Sequence, residues 1–288
     1  MIRLKFSIDL MYEISDHASD FIFNIHAAQS ICQSVVTEKL HLSQPITPEI
    51  YTEPTYGTRY MRLKAEPGQL AVHYDAMVDI VHYTESPGRL AEVPIAQLPP
   101  EVLHYIYPSR YCQSDRLHKY ATREFGHLRQ GYWRVQAIND WVRQRTKFMS
   151  GSSTGITSAV DTIIEQVGVC RDFAHLMIAL CRAVNIPARF VTGIDYGSDP
   201  AMGPTDFHAY VEVFLSNRWY LFEPTGVSPP MGLVRLGTGR DAADVSFATM
   251  FGAVKSFTPV IAIEAINDPA NGFMLPRFCQ EGLSTAIS

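Results

Sequence analysis

The stretch "GVCRDFAHLMIALCRAVNIPARFVTGIDYG", residues 168–197, decides the fold. Cys170, Phe173, Ala174, Met177, Leu180, Cys181 and Val184 recur at spacings of three and four, which predicts a helix with one buried face beginning at Cys170. Unpaired backbone N–H groups and the positive end of the helix dipole favour a thiolate at that end. They can also donate to an oxyanion forming on a carbonyl that the sulfur attacks. Gly168, two residues earlier, leaves room for a substrate to approach.

Three other fates for the cysteine compete. A cysteine on an apolar face is more often core than catalytic, and Cys181 in mid-helix is read that way. A metal would need Cys170, His175 and Cys181 to converge from helical offsets of five and six, with no CxxC or HxxxH motif, so no metal is expected. A redox pair fails because Cys181 sits roughly three turns from Cys170. Asp172 suits the first turn of the helix. His175 lies off the apolar stripe and is not expected to be a base.

Downstream, "HAYVEVFLSNRWYLFEPT", residues 208–225, reads as two strands around a turn at Ser216 and Asn217. Ala209, Val211, Val213 and Leu215 form the apolar face, leaving His208, Tyr210 and Glu212 on a polar side. If the turn is two residues long, Leu215 faces Arg218 and Tyr210 faces Glu223. Glu223 then shares a face with His208, one diagonal step away. A carboxylate on one ring nitrogen fixes the tautomer and frees the other nitrogen for a thiol proton. A sheet-surface histidine and a solvated strand-end glutamate are the plainer readings, and Asp206 is a competing carboxylate.

Around these blocks the 288-residue chain is 47% hydrophobic and carries a net charge of −5, enough apolar material for one large or two medium domains. No basic run marks it for nucleic acid or a membrane surface, and both partners are disfavoured. The N-terminus reads as a strand, not a signal peptide, and no run nears the roughly 20 apolar residues of a membrane helix. Five cysteines without a CxxC pair fit reduced thiols in a cytoplasm.

Strand-like runs up to about Glu85 predict a β-sandwich domain over residues 1–105. "EVPIAQLPPEVLHYIYPSRYCQSDRL", residues 92–117, reads as a linker into an α+β domain over residues 106–288. That domain is expected to hold a helix over 131–147 packed through Trp133, Ala137, Ile138, Trp141 and Val142. A second helix over 157–166 would be capped by Thr157 or Ser158. Runs at 244–254 and 256–267 would add strands to the same domain, and the tail from Asn271 would lie on the surface.

The cysteine-helix block, the "IPAR" strand and the "HAYVEV" strand together resemble the core of the bacterial transglutaminase-like superfamily, thiol enzymes related to the papain fold. The β-rich start resembles the accessory domain often found ahead of that core. The resemblance implies an α+β papain-like catalytic domain behind an N-terminal antiparallel β-sandwich. It implies Cys170 as nucleophile, His208 as general base and then acid, and the residue before "PT" as third member. The family usually has aspartate there; this chain has Glu223. Tyr111, like Ser109 and Arg110 in the linker, could reach the cleft, and with Gly168 it is a candidate for the oxyanion or substrate site.

The activity implied is cysteine-dependent acyl transfer on amide bonds of a protein or peptide through a thioester, without a cofactor. Hydrolysis as a peptidase or amidase is favoured over crosslinking. The alternative is a non-catalytic binding or scaffold protein on the same fold. Oligomeric state is not legible.

Overall fold

A computed structural model describes residues 1–198 and 205–286. The N-terminal part opens with β1 (Ile2–Ile14), whose even-numbered residues are all buried and whose odd ones face outward, the period of a half-covered strand. It continues with β2 (Ser19–Phe23), β3 (Gln33–Leu42), β4 (Glu49–Thr52), β5 (Arg59–Ala65) and β6 (Gly68–Ile80). β6 pairs along the whole of β1, from Ile2 opposite Ile80 to Ile14 opposite Gly68, and β3 covers its other edge. β2, β5 and β4 form a second antiparallel sheet. The two sheets bury Leu4, Ile8, Tyr12, Phe21, Met61 and Tyr74 in a common core, an antiparallel sandwich as predicted.

After β7 (Tyr83–Glu85) the linker runs through short 3-10 turns, but it ends sooner than the sequence suggests. Residues 114–117 already belong to α1 (Ser114–Phe125), a helix whose buried Leu117, Ala121 and Phe125 recur every fourth position among charged residues. α2 (Tyr132–Arg145) falls where expected, yet its packed face is rotated. Tyr132, Val135, Ile138 and Val142 are buried while Trp133 is 55% exposed. Arg134 accounts for the shift, because its Nε donates to Glu92 at 2.8 Å and draws a charged residue inward. Next come β8 (Lys147–Phe148), α3 (Ala159–Glu165), β9 (Val167–Gly168) and α4 (Cys170–Ala183). Ser158 caps α3, with Asp161 accepting from its N–H.

The chain then builds a sheet from β10 (Ala188–Asp195), β11 (Phe207–Leu215), β12 (Arg218–Phe222) and β13 (Leu233–Gly239). Ala209, Val211, Val213 and Leu215 face the helices and share their core. The opposite face is not the polar surface that the alternation predicts. The linker packs on Phe214 and Trp219, the N-terminal sandwich on Ile194, Val234 and Leu236, and Leu233, Leu283 and Met231 on Tyr210; Tyr210 and Glu212 are fully buried.

The C-terminal strands depart furthest from expectation. β14 (Ala248–Phe251) pairs with β2, while β15 (Val254–Ser256) and β16 (Val260–Ile266) pair with β1. They serve the N-terminal sheets because β1 has a long open edge on the side away from β6, and an unpaired edge of that length needs a partner. Conversely, β17 (Gly282–Ser284) lies buried between β12 and β7 in the sheet that β10–β13 build, not on the surface. A boundary at residue 105 therefore separates the helices from the sandwich but cuts across strands exchanged in both directions.

Candidate active site

The β11–β12 hairpin places two of the three expected site residues. Ser216 and Asn217 have φ of 46° and 60°, the left-handed pair of a two-residue turn whose twist matches its strands. Leu215 pairs with Arg218 and Val211 with Phe222, which carries the ladder to Tyr210 and Glu223. His208 and Glu223 meet diagonally on one face, with Nε2 3.1 Å from Oε1 of the carboxylate. Their exposures of 7% and 5% keep this contact out of bulk water.

The helix supplies the third. Cys170 is the first residue of α4, half-buried, with Sγ 3.8 Å from the carbonyl oxygen of Phe207, the residue before His208. The start of α4 is fixed by Asp172, whose Oδ2 accepts the Val169 N–H at 2.9 Å. That carboxylate is the expected first-turn cap; the Asp172 and Phe173 N–H groups return to the Val169 carbonyl, while those of Cys170 and Arg171 beside the sulfur have no partner among the described residues.

The electrostatics link the three. Burial opposes charge on His208, but the charge and hydrogen bond of Cys170, then the bond from Glu223 and the charge of Asp195, hold the imidazole well above its ordinary pKa. Burial pushes Glu223 upward, yet His208 and the Thr225 donors outweigh it and hold the carboxyl below the usual carboxylate value. With Nε2 engaged by Glu223, Nδ1 is the ring nitrogen left for the sulfur. The arrangement can move a proton between sulfur and imidazole while the carboxylate steadies the charge.

Other sequence candidates are placed differently. The Tyr111 hydroxyl donates to the Gly155 carbonyl at 2.7 Å, its N–H goes to Asp241, and its ring stacks on His175, so its polar groups are already engaged. Ser109 is taken by Arg182. Gly168 lies in β9, and a Cβ there would stand 2.8 Å from Cβ of Asp172. Its lack of a side chain makes room for the helix cap, a requirement separate from substrate access. His175 is fully buried, accepts from the Ala242 N–H at 3.1 Å, and is pushed well below the usual imidazole pKa by burial.

Several contributors escape the sequence reading. Thr225 and Gly226 fold back so that the Thr225 hydroxyl and both N–H groups donate to Glu223. The "EPTG" turn was the signal for them. Tyr210 sets its ring edge against His208, with centroids 4.8 Å apart, and its hydroxyl bonds Ser228. Arg143 Nη2 donates to the Glu223 carbonyl at 3.0 Å, locking the strand end. Asp195 is buried with Oδ2 unpartnered among the described residues, and no periodicity marks it.

Comparison with known proteins agrees with this geometry. Residues 119–224 match the model of the transglutaminase-like superfamily, and residues 2–101 match that of the bacterial transglutaminase N-terminal domain. A crystal structure from Cytophaga hutchinsonii, described as a "Putative Cysteine Protease", is 37% identical. It covers 98% of this chain and 97% of its own at a TM-score of 0.91. An uncharacterised Mycobacterium leprae protein is 31% identical over 117 residues, which are 39% of this chain and 42% of that protein. An uncharacterised Mycobacterium bovis protein is 29% identical over 171 residues, 55% of this chain and 51% of that one. The chain thus spans about half the length of the curated relatives it matches.

Proposed function

The chain belongs to the transglutaminase-like superfamily, and from that premise we propose that it is a cysteine-dependent acyl-transfer enzyme acting on amide bonds of a protein or peptide. The observation that carries the reading is the Cys170 thiol at the start of α4, 3.8 Å from the carbonyl oxygen of Phe207, beside the buried pair of His208 and Glu223. His208 already holds the thiol proton, and the sulfur attacks the amide carbonyl as a thiolate. The carbonyl oxygen gains the negative charge, facing the free N–H groups at the start of α4.

Collapse of that intermediate breaks the C–N bond. His208 gives its proton to the departing amine, leaving a thioester on Cys170. A second nucleophile then attacks the thioester, loses its proton to His208, and releases the acyl group. Glu223 keeps the ring oriented and stabilises the imidazolium without taking the proton.

Water as the second nucleophile gives a peptidase or amidase, an amine gives a transferase. Hydrolysis is favoured, because the relative that covers nearly the whole chain is described as a "Putative Cysteine Protease". The test is mass spectrometry of the protein with a peptide library, with and without an amine acceptor. The expected result is an acyl adduct on Cys170 and hydrolysed products that persist unchanged when amine is present. Turnover by Cys170→Ala at the wild-type rate would overturn the reading, and products that all incorporate the amine would reassign it to transfer.

A further inference from the structure

The N-terminal sheet that carries β1 ends in two unlike edges. Along one, β3 is bulged between Val35 and Thr37 and turns Glu38 inward, opposite the buried Ala76, where Arg59 Nη1 donates to it at 2.6 Å. A bulge and an inward-pointing charge are devices that keep a foreign strand from adding to an edge. Along the other edge, β16 has neither.

β16 pairs only with β1 among the described residues, in unbroken register from Val260 opposite Asp9 to Ile266 opposite Arg3. No other backbone group bonds it among the described residues, so alternate N–H and C=O groups of the strand point off the sheet without a partner. Its sequence, VIAIEAI, holds no proline and a single charge, Glu264, which Lys5 Nζ approaches to 3.4 Å. The inward positions are Ile261, Ile263 and Ala265. Only Ile261 is buried, and the other two are half-covered at the margin of the core. On the outward side Val260 is 65% exposed, and Phe257 and Met11, whose backbones bond at 3.0 Å, are exposed at the same end of the strand.

We propose that β16 is a homodimer interface, through which two copies pair antiparallel about a twofold axis at Ile263 into one continuous sheet. An axis normal to the sheet keeps the core faces of both copies on one side. Centred at Ile263, it gives every residue of β16 an opposite: Ile261 meets Ala265 of the other copy, Val260 meets Ile266, and Ala262 meets Glu264. Centred at Glu264, it would oppose like charges, and centred at Ala262 it would set Pro259, which has no N–H, against Ala265. A second copy suits this edge better than an unrelated peptide, because it brings the same half-covered margin and the two Ile263 side chains close over each other. A contact of one strand per copy is small for a permanent interface, so the dimer is expected to dissociate on dilution. The surface lies in the N-terminal sheet and is independent of the acyl-transfer reading.

The experiment is sedimentation equilibrium of the full chain over a concentration series, with amide hydrogen exchange read by NMR on the same samples. A monomer–dimer equilibrium is expected, with alternate β16 amides slowed in the concentrated samples only. Ala262→Glu, at an exposed position, sets two symmetry-related like-charge pairs against Glu264 and should weaken the dimer about 10-fold. Ala262→Lys, at the same position, meets Glu264 with the opposite sign and should dimerise at least as tightly as wild type. A monomer at every concentration, a dimer whose β16 exchange does not change with concentration, or equal affinity in the two variants would each overturn the proposal. If Ala262→Glu does not fold, hydrogen exchange of the wild-type chain decides it.

Discussion

Glu223 reaches His208 diagonally across a two-residue hairpin, Oε1 to Nε2 at 3.1 Å, while the turn that follows wraps its own N–H groups around the same carboxylate. The longer side chain suits this arrangement, because it accepts from Thr225 and Gly226 and from the imidazole together.

Glu223→Asp keeps the charge but draws the carboxylate back by one methylene, away from one or more of these donors. Glu223→Gln keeps the length and loses the charge that steadies the imidazolium. The expected order of kcat/KM is wild type, then Asp, then Gln, with the Gln variant down by roughly 10²- to 10⁴-fold. Steady-state kinetics on a peptide amide check the order, and a Gln variant as active as wild type would remove Glu223 from the proposed triad.

The raised pKa of His208 sets the alkaline limb of the pH profile. As leaving-group acid it must be protonated, so activity should persist above the ordinary imidazole value near 6.5 and fall only as pH passes the higher folded value. Glu223→Gln removes one cause of the increase and should move that limb to lower pH. A kcat/KM profile for both proteins measures the shift.

Gly168→Ala should destabilise the protein by about 1–3 kcal/mol, since the new methyl would sit 2.8 Å from Asp172 Cβ and displace the cap of α4. Urea unfolding reads the loss. The same displacement tilts Cys170, so activity in the folded fraction should fall as well. A variant of unchanged stability would mean that Asp172 can move aside freely.

His26 predicts a loss of stability in acid. Burial, helped by the Arg59 charge, lowers its pKa from 6.5 to about 4, so the unfolded chain binds the proton more readily than the native one. The stabilisation is complete above pH 6.5 and is lost as pH falls toward 4, by about 3 kcal/mol. Urea unfolding at pH 7 and pH 4.5 should show the drop, and His26→Gln should reduce it.

The parts that local rules govern were legible in the sequence. The α4 stripe, its acidic cap and the hairpin register all follow from periodicity and turn chemistry, and they place Cys170, His208 and Glu223 correctly along their elements. What misled was burial imposed from a distance. Glu212 reads as a solvent-facing strand residue, and only Arg189 and Arg235, 23 positions away on either side, explain its place inside. Trp133 reads as core and is exposed because Glu92 pulls Arg134 inward. The strand character of residues 260–266 was plain, but pattern alone does not say which sheet they join.

That last pairing bears on how the protein comes into being. Arg3 lies opposite Ile266, so one edge of β1 waits for a residue made 263 positions later. While the nascent chain emerges, a 13-residue strand offers bare N–H and C=O groups to any neighbour. Closing the sheet requires the slow, long-range search typical of high contact order. Intermediates of this protein are thus most vulnerable to aggregation at β1, and a holding chaperone would protect them best there.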